Sequence, residues 1–93
     1  MTELLITAVG SDRPGLVSEV SEAVFDAGGN IEDMDQVVMR NVFVMSMLVS
    51  FSNPRTPIRK LERLLRRKEE KTGLKISIYK VRSLLKKGEK IGR

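Results

Sequence analysis

The chain has 93 residues, 41% of them hydrophobic, with neither cysteine nor histidine. It is therefore read as one domain, without disulfides or thiolate chemistry, and without the commonest general base and transition-metal ligand. The net charge is +5, but Arg82, Lys86, Lys87, Lys90 and Arg93 against the single acid Glu89 place +4 of it after residue 81, so the body is a poor electrostatic nucleic-acid binder.

Leu4–Val9 is a short apolar run ending at Gly10, which reads as a buried strand. Ser11 or Asp12 is placed to cap a helix, with Pro14 in its first turn. Leu16, Val20, Ala23, Val24 and Ala27 then recur at helical spacing, and Gly28-Gly29 stops the helix. Asn30–Val38 is a second strand, Arg40-Asn41 a hairpin turn, and Val42–Phe51 a third strand. Phe43, Met45, Met47, Val49 and Phe51 share its core face, and a two-residue turn adds Met34 and Val38 to that face. Gln36 falls on the same side, where a polar group needs a structural hydrogen-bond partner.

Ser52-Asn53-Pro54-Arg55 reads as loop, Thr56 as a cap, and Pro57 as the start of a second helix with Ile58, Leu61, Leu64 and Leu65 buried. Arg66–Lys71 is charged all round, so that end is expected to project into solvent. Gly73 ends the helix, and Leu74, Ile76 and Ile78 mark a fourth strand through about Val81. The basic tail 82–93 is expected to fray or stay disordered.

The order βαββαβ predicts an α+β, ferredoxin-like sandwich, with a four-stranded antiparallel sheet and two helices on one face. Val37, Met39, Val42, Val44 and Leu48 then lie on the uncovered face, more apolar surface than a monomer usually shows. A homodimer closing that face or a sheet edge is the expected remedy. Gly10–Leu16 and Gly28–Ile31 read as two walls of one small-ligand site, provided that Ile31 returns the chain to the same end of the sheet. The strand–helix junction offers free N–H groups to an anion.

The fold does not name a function. The run Asp12-Arg13-Pro14-Gly15-Leu16-Val17, the helix behind it, Gly29-Asn30-Ile31 and the hairpin ending Phe43–Val49 together resemble an ACT domain over residues 3–81. They are most similar to stand-alone ACT proteins and to ACT repeats of the glycine-cleavage-system repressor type, and similar also to the ACT segment preceding some phosphoserine phosphatases. The resemblance implies allosteric sensing of an amino acid or similar small molecule, held between the first loop of one copy and the start of the second strand of another. It maps the loop position onto Asp12 and the strand-start position onto Asn30. Pro14 and Gly15 shape the turn, Arg13 shares its loop, and Leu16 and Ile31 line the site. Asp12 suits the ammonium, helix N–H groups suit the carboxylate, the Asn30 amide both donates and accepts, and Gly10 and Gly15 let the backbone approach. Serine-binding members often carry an amide or imidazole in the first loop, where this chain has Gly10 and Asp12.

The resulting reading is a non-catalytic, cofactor-free regulatory module, residues 1–81, with a basic tail and a regulated protein partner. A ligand-free adaptor is the alternative. An RNA-binding domain of the same topology would need stacking aromatics, whereas Phe43 and Phe51 fall on the helix side. A phosphate enzyme of the acylphosphatase type would use a loop arginine, but the glycine-rich phosphate loop is missing here. Glu32, Asp33 and Asp35 invite a metal reading: Asp33 and Asp35, on one face about 7 Å apart, suit Mg²⁺ or Ca²⁺ chemically, but the calcium-loop spacing is missing. No apolar run approaches the about 20 residues of a membrane helix, and no basic segment precedes the first apolar run, so a cytoplasmic protein is expected.

Overall fold

The computed structural model describes residues 2–52 and 58–85. Its elements run β1 (Thr2–Ser11), α1 (Leu16–Asp26), β2 (Asn30–Met39), β3 (Val42–Phe51), α2 (Ile58–Thr72), β4 (Lys75–Lys80) and a short α3 (Val81–Leu84). The strands form one antiparallel sheet in the order β2-β3-β1-β4, with the helices on one side, as the ferredoxin-like pattern requires. The expected loop and cap at Asn53–Pro57, and tail residues 86–93, lie outside the described residues.

Alternation builds the core. Phe43, Met45, Met47, Val49 and Phe51 from β3 meet Leu4, Ile6 and Ala8 from β1, all buried. The α1 stripe and Leu61 and Leu65 of α2 close over them. The helix ends with a Schellman motif: Gly28 N–H donates to the Phe25 carbonyl at 2.9 Å and Gly29 N–H to the Val24 carbonyl at 2.9 Å. Gly28, at φ 86°, takes the left-handed position that this motif assigns to glycine. The hairpin is as expected: Met39 faces Val42, and Arg40 and Asn41 both have positive φ, the signature of a type I′ turn.

Three expectations change. The strand expected through Val81 ends at Lys80, and Val81 turns into α3 with its side chain buried. Gln36 lies on the helix side but is exposed, because β2 is the sheet edge and overhangs the helices; it therefore has no buried amide to satisfy, and Val38 is exposed for the same reason. The charged end of α2 does not simply project. Lys68 lies half-buried against α1, its ammonium bonded to Glu19 at 2.7 Å and also to Glu22, while Lys71 reaches Glu19 at 2.8 Å. Its aliphatic stem packs while its head finds acids on the neighbouring helix. Glu69 accepts a bond from the Ile76 N–H at 2.7 Å, which pins the start of β4 to α2.

These contacts set an acid limb to stability. Hydrogen bonds from Lys68 and then Lys71 pull the Glu19 carboxyl from 4.5 down to about 2, and the Ile76 N–H leads the lowering at Glu69. A depressed carboxylate stabilises the fold above its unfolded value, and that contribution drains away as pH falls through the folded one. The melting temperature is therefore expected to drop between pH 4.5 and about 2. Lys68→Met should flatten that fall in a series of melts against pH, whereas an unchanged acid limb would remove the helix–helix ion pairs from the account.

Candidate functional site

The β1–α1 loop is anchored at three points. Asp12 N–H donates to the Asn41 carbonyl of the hairpin turn at 2.8 Å. The Arg13 guanidinium donates through Nη2 to the Lys71 carbonyl at the end of α2, also at 2.8 Å. Gly10 lies so close to Leu74 that a Cβ there would stand 2.9 Å from Leu74 Cδ2 and 3.2 Å from its Cα. The glycine is thus required by the approach of β4 to β1, whatever else the loop does.

Neither Ser11 nor Asp12 caps the helix. Ser11 ends β1, and the N-cap position belongs to Gly15, at φ 88° and ψ 2°, with no side-chain cap bond. Those angles fit the second central position of a type II turn, with Pro14 at the first. The Pro-Gly turn moves the helix start three residues past Asp12 and leaves the Asp12 side chain in solvent. Leu16, Val17 and Ser18, as the first three helical residues, have no intrahelical acceptor for their N–H groups; the first such bond runs from Glu19 N–H to the Gly15 carbonyl at 3.1 Å. Asp12, Arg13, Pro14, Gly15 and Leu16 are thus gathered beside three free donors and the Arg40-Asn41 turn.

Asn30 and Ile31 are not part of that gathering. Asn30 pairs with Ser50, and Met39, at the far end of β2, pairs with Val42, which itself faces no part of the Asn30 end but joins Ser11. The β1–α1 loop and Asn30 therefore sit at opposite ends of the sheet, about 30 Å apart along a ten-residue strand. The two walls do not meet within one chain, because α1 runs back along β1 before β2 begins. At its own end Asn30 is exposed, and Ile31 packs against the core. A bulge follows, where Ile31 faces Val49 and Asp33 faces Leu48, leaving Glu32 unpaired in the ladder; its carboxylate accepts a bond from Ser50 Oγ at 2.5 Å.

The uncovered face carries the expected apolar residues. Val37, Met39 and Val42 are exposed and Val44 and Leu48 half-buried, joined by exposed Val9 and Tyr79. Two shallow hollows span β2, β3 and β1, lined by Asp33, Asp35, Ser46, Thr7 and their apolar neighbours; neither includes the β1–α1 loop or Asn30. Asp33 and Asp35 each bond the N–H of the next residue, at 2.9 Å. No group of three or more acids that could hold a metal ion occurs among the described residues. Phe43 and Phe51 are buried beneath the helices and present no ring for base stacking. No helix among the described residues is long and apolar enough to cross a membrane. Sequence reasoning treated Arg40 and Asn41 only as a turn. Their place beside Asp12 follows from the pairing of β3 with β1, which local pattern does not reveal.

Comparison with known proteins agrees with this fold. The family model described as ACT domain matches residues 2–79. The chain is 36% identical over 78 residues to the UPF0237 protein MK1213 of Methanopyrus kandleri, covering 84% of this chain and 87% of that one. It is 43% identical over 49 residues to the glycine cleavage system transcriptional repressor of Escherichia coli, covering 53% of this chain but only 26% of the repressor. Among solved structures, an ACT domain protein from Streptococcus pneumoniae superposes with a TM-score of 0.79 at 27% identity, over 91% of this chain and 96% of that one. On its sequence, its ferredoxin-like sheet and these likenesses, the chain belongs to the ACT domain family.

Proposed function

We propose that this chain is a non-catalytic regulatory module that binds a free amino acid or a similar small metabolite between two copies of itself, in the cytoplasm. The ligand contacts Asp12, Gly15 and Leu16 from one copy and Asn30 and Ile31 from the other. Gly10, Arg13 and Pro14 hold the loop in shape. Asp12 takes the ammonium, the free N–H groups at the start of α1 take the carboxylate, and the Asn30 amide completes the contacts. Residues 1–81 form the binding unit, 82–93 are a basic extension, and the bound state is read by a regulated protein partner.

One observation carries this reading. The anchored Asp12 loop and the exposed Asn30 lie at opposite ends of one sheet, so a site built from both needs a second chain. The exposed apolar face and the unpaired edge of β2 favour a dimer over a monomer. The repressor relative, whose name denotes transcriptional control of an amino-acid breakdown system, supports amino-acid sensing.

Thermal unfolding against each of the twenty amino acids tests it. A ligand of the native state adds ~2.7 kcal/mol at a hundred-fold excess over Kd. One amino acid is expected to raise the melting temperature selectively, and Asp12→Ala or Asn30→Ala to abolish the rise while leaving the unliganded melt within about 0.5 kcal/mol of the parent. A stable dimer indifferent to all twenty would leave a different metabolite or a ligand-free adaptor.

A further inference from the structure

The net charge of +5 hides a separation. Residues 2–52 carry eight acids against two bases, and residues 58–85 carry ten bases against three acids. Much of the second excess stands on α2. Helical spacing sets Arg59, Arg63 and Arg67 on the side away from buried Leu61, Leu65 and Thr72, with about 6 Å of rise from one arginine to the next. These three and Lys60 are exposed and make no ion pair among the described residues, whereas Lys68 and Lys71 are engaged by α1 and Arg66 by Glu69. An exposed aromatic stands beside this row. Glu19 meets both Lys71 and Lys68, and Glu22 meets Lys68, so the two helices run antiparallel. Phe25, one turn beyond Glu22, therefore comes level with half-buried Leu64, and it is 59% exposed.

We propose that the outward face of α1 and α2 docks an acidic amphipathic helix of the regulated protein, with Phe25 and Leu64 taking an apolar side chain and Lys60, Arg63 and Arg67 taking carboxylates. This rests on the reading above only in calling the partner a regulated protein, and it gives that partner a surface. The chemistry selects the occupant. Carboxylates four residues apart on a partner helix repeat at the same ~6 Å as the arginines, and the guanidinium fork fits each carboxylate. An aromatic beside arginines is the composition of an interface hot spot, and a helix laid in a groove is read through such periodic anchors. A nucleic acid fits worse. A base stacked on Phe25 would bring its phosphate against Glu22 and Asp26, which flank the ring and are exposed. Glu70, exposed at the end of the basic row, would repel a continuing phosphate chain, whereas a short acidic segment stops before it. A second copy is poorly supplied for the row, because Glu19 and Glu22 are held by Lys68 and Lys71, and Asp33 and Asp35 by backbone N–H groups.

Fluorescence anisotropy with the full chain tests this against two labelled probes. One is a helical peptide carrying glutamates four residues apart beside a leucine, and the other is a single-stranded oligonucleotide of the same charge. The peptide is expected to bind saturably, and the oligonucleotide at least about tenfold more weakly. Arg63→Glu should weaken peptide binding by about tenfold, and a peptide with one glutamate changed to lysine should bind that variant to within about threefold of the parent pair. Phe25→Ala should also weaken binding by about tenfold, without altering its salt dependence. Both positions are exposed, so the variants should melt as the parent does. Peptide binding that ignores Phe25→Ala or Arg63→Glu, tighter binding of the oligonucleotide, or no saturable binding at all would overturn the proposal. Conversion of a dimer to a monomer by Arg63→Glu would overturn it too, since the face would then belong to a second copy. No amino acid enters the titration, so this proposal and the small-ligand reading succeed or fail separately.

Discussion

Leu61→Ala is expected to destabilise the domain by about 2–5 kcal/mol, the range for truncating a fully enclosed leucine. Leu61 has no exposed surface and lies at the centre of the α2 stripe, with Leu65 one turn on and Ile58 one turn back. The removed atoms lose their transfer free energy, and the walls of the gap do not collapse fully, since the sheet beneath is fixed by three strand pairings. A domain of this size has only about 5–15 kcal/mol in total, so the variant should unfold at far lower denaturant with an unchanged slope. A loss below about 0.5 kcal/mol would mean that α2 does not pack as described.

Gly29→Ala is the second large effect, and its cause is the opposite. Gly29 follows the left-handed Gly28 and has ordinary φ, so backbone strain is not the issue. A Cβ at Gly29 would stand 2.7 Å from Phe51 Cε2 and Cζ and 3.0 Å from Val24 Cγ1. Phe51 is buried and ends β3, and Val24 is buried in α1, so neither has room to retreat. Overpacking of this kind costs about 1–3 kcal/mol. Ser52, the next residue in sequence and exposed, is the control, and Ser52→Ala should cost no more than about 0.5 kcal/mol. A Gly29→Ala variant as stable as the parent would show that the ring moves freely.

The contrast between these glycines and the rest of the chain shows what could be read in advance. The third strand was legible because its five core residues alternate without a break, and its partner's register followed from one two-residue turn at Arg40-Asn41. The helix stop at Gly28-Gly29 was legible because the left-handed position favours glycine. Asp12 misled because a cap is read from residue type, whereas the Pro14-Gly15 turn moves the helix start beyond its reach. Gln36 misled because alternation gives a face but not an edge, and only the strand order shows that β2 overhangs. Lys68 misled because a charged run reads as solvated, while its partners, Glu19 and Glu22, lie on another helix.

The candidate site was half legible. The residues of the Asp12 loop and of the Asn30 strand start carry the family resemblance, and the family itself is established by comparison. Their separation was hidden, because strand direction is a property of the whole sheet. That separation gives the proposed function its sharpest feature, a site that no single chain contains.

Mixing two inactive variants tests this most directly. Asp12→Ala and Asn30→Ala homodimers each lack a required group at both sites, so neither should bind the amino acid that stabilises the parent. In a mixed dimer, the intact Asp12 loop of one chain meets the intact Asn30 of the other. After unfolding and refolding an equal mixture, binding should return at about a quarter of all sites, with the parent's affinity. If the mixture binds no better than its components while mixed dimers are present, or if either variant alone keeps its binding, the site is not shared between copies and the account fails.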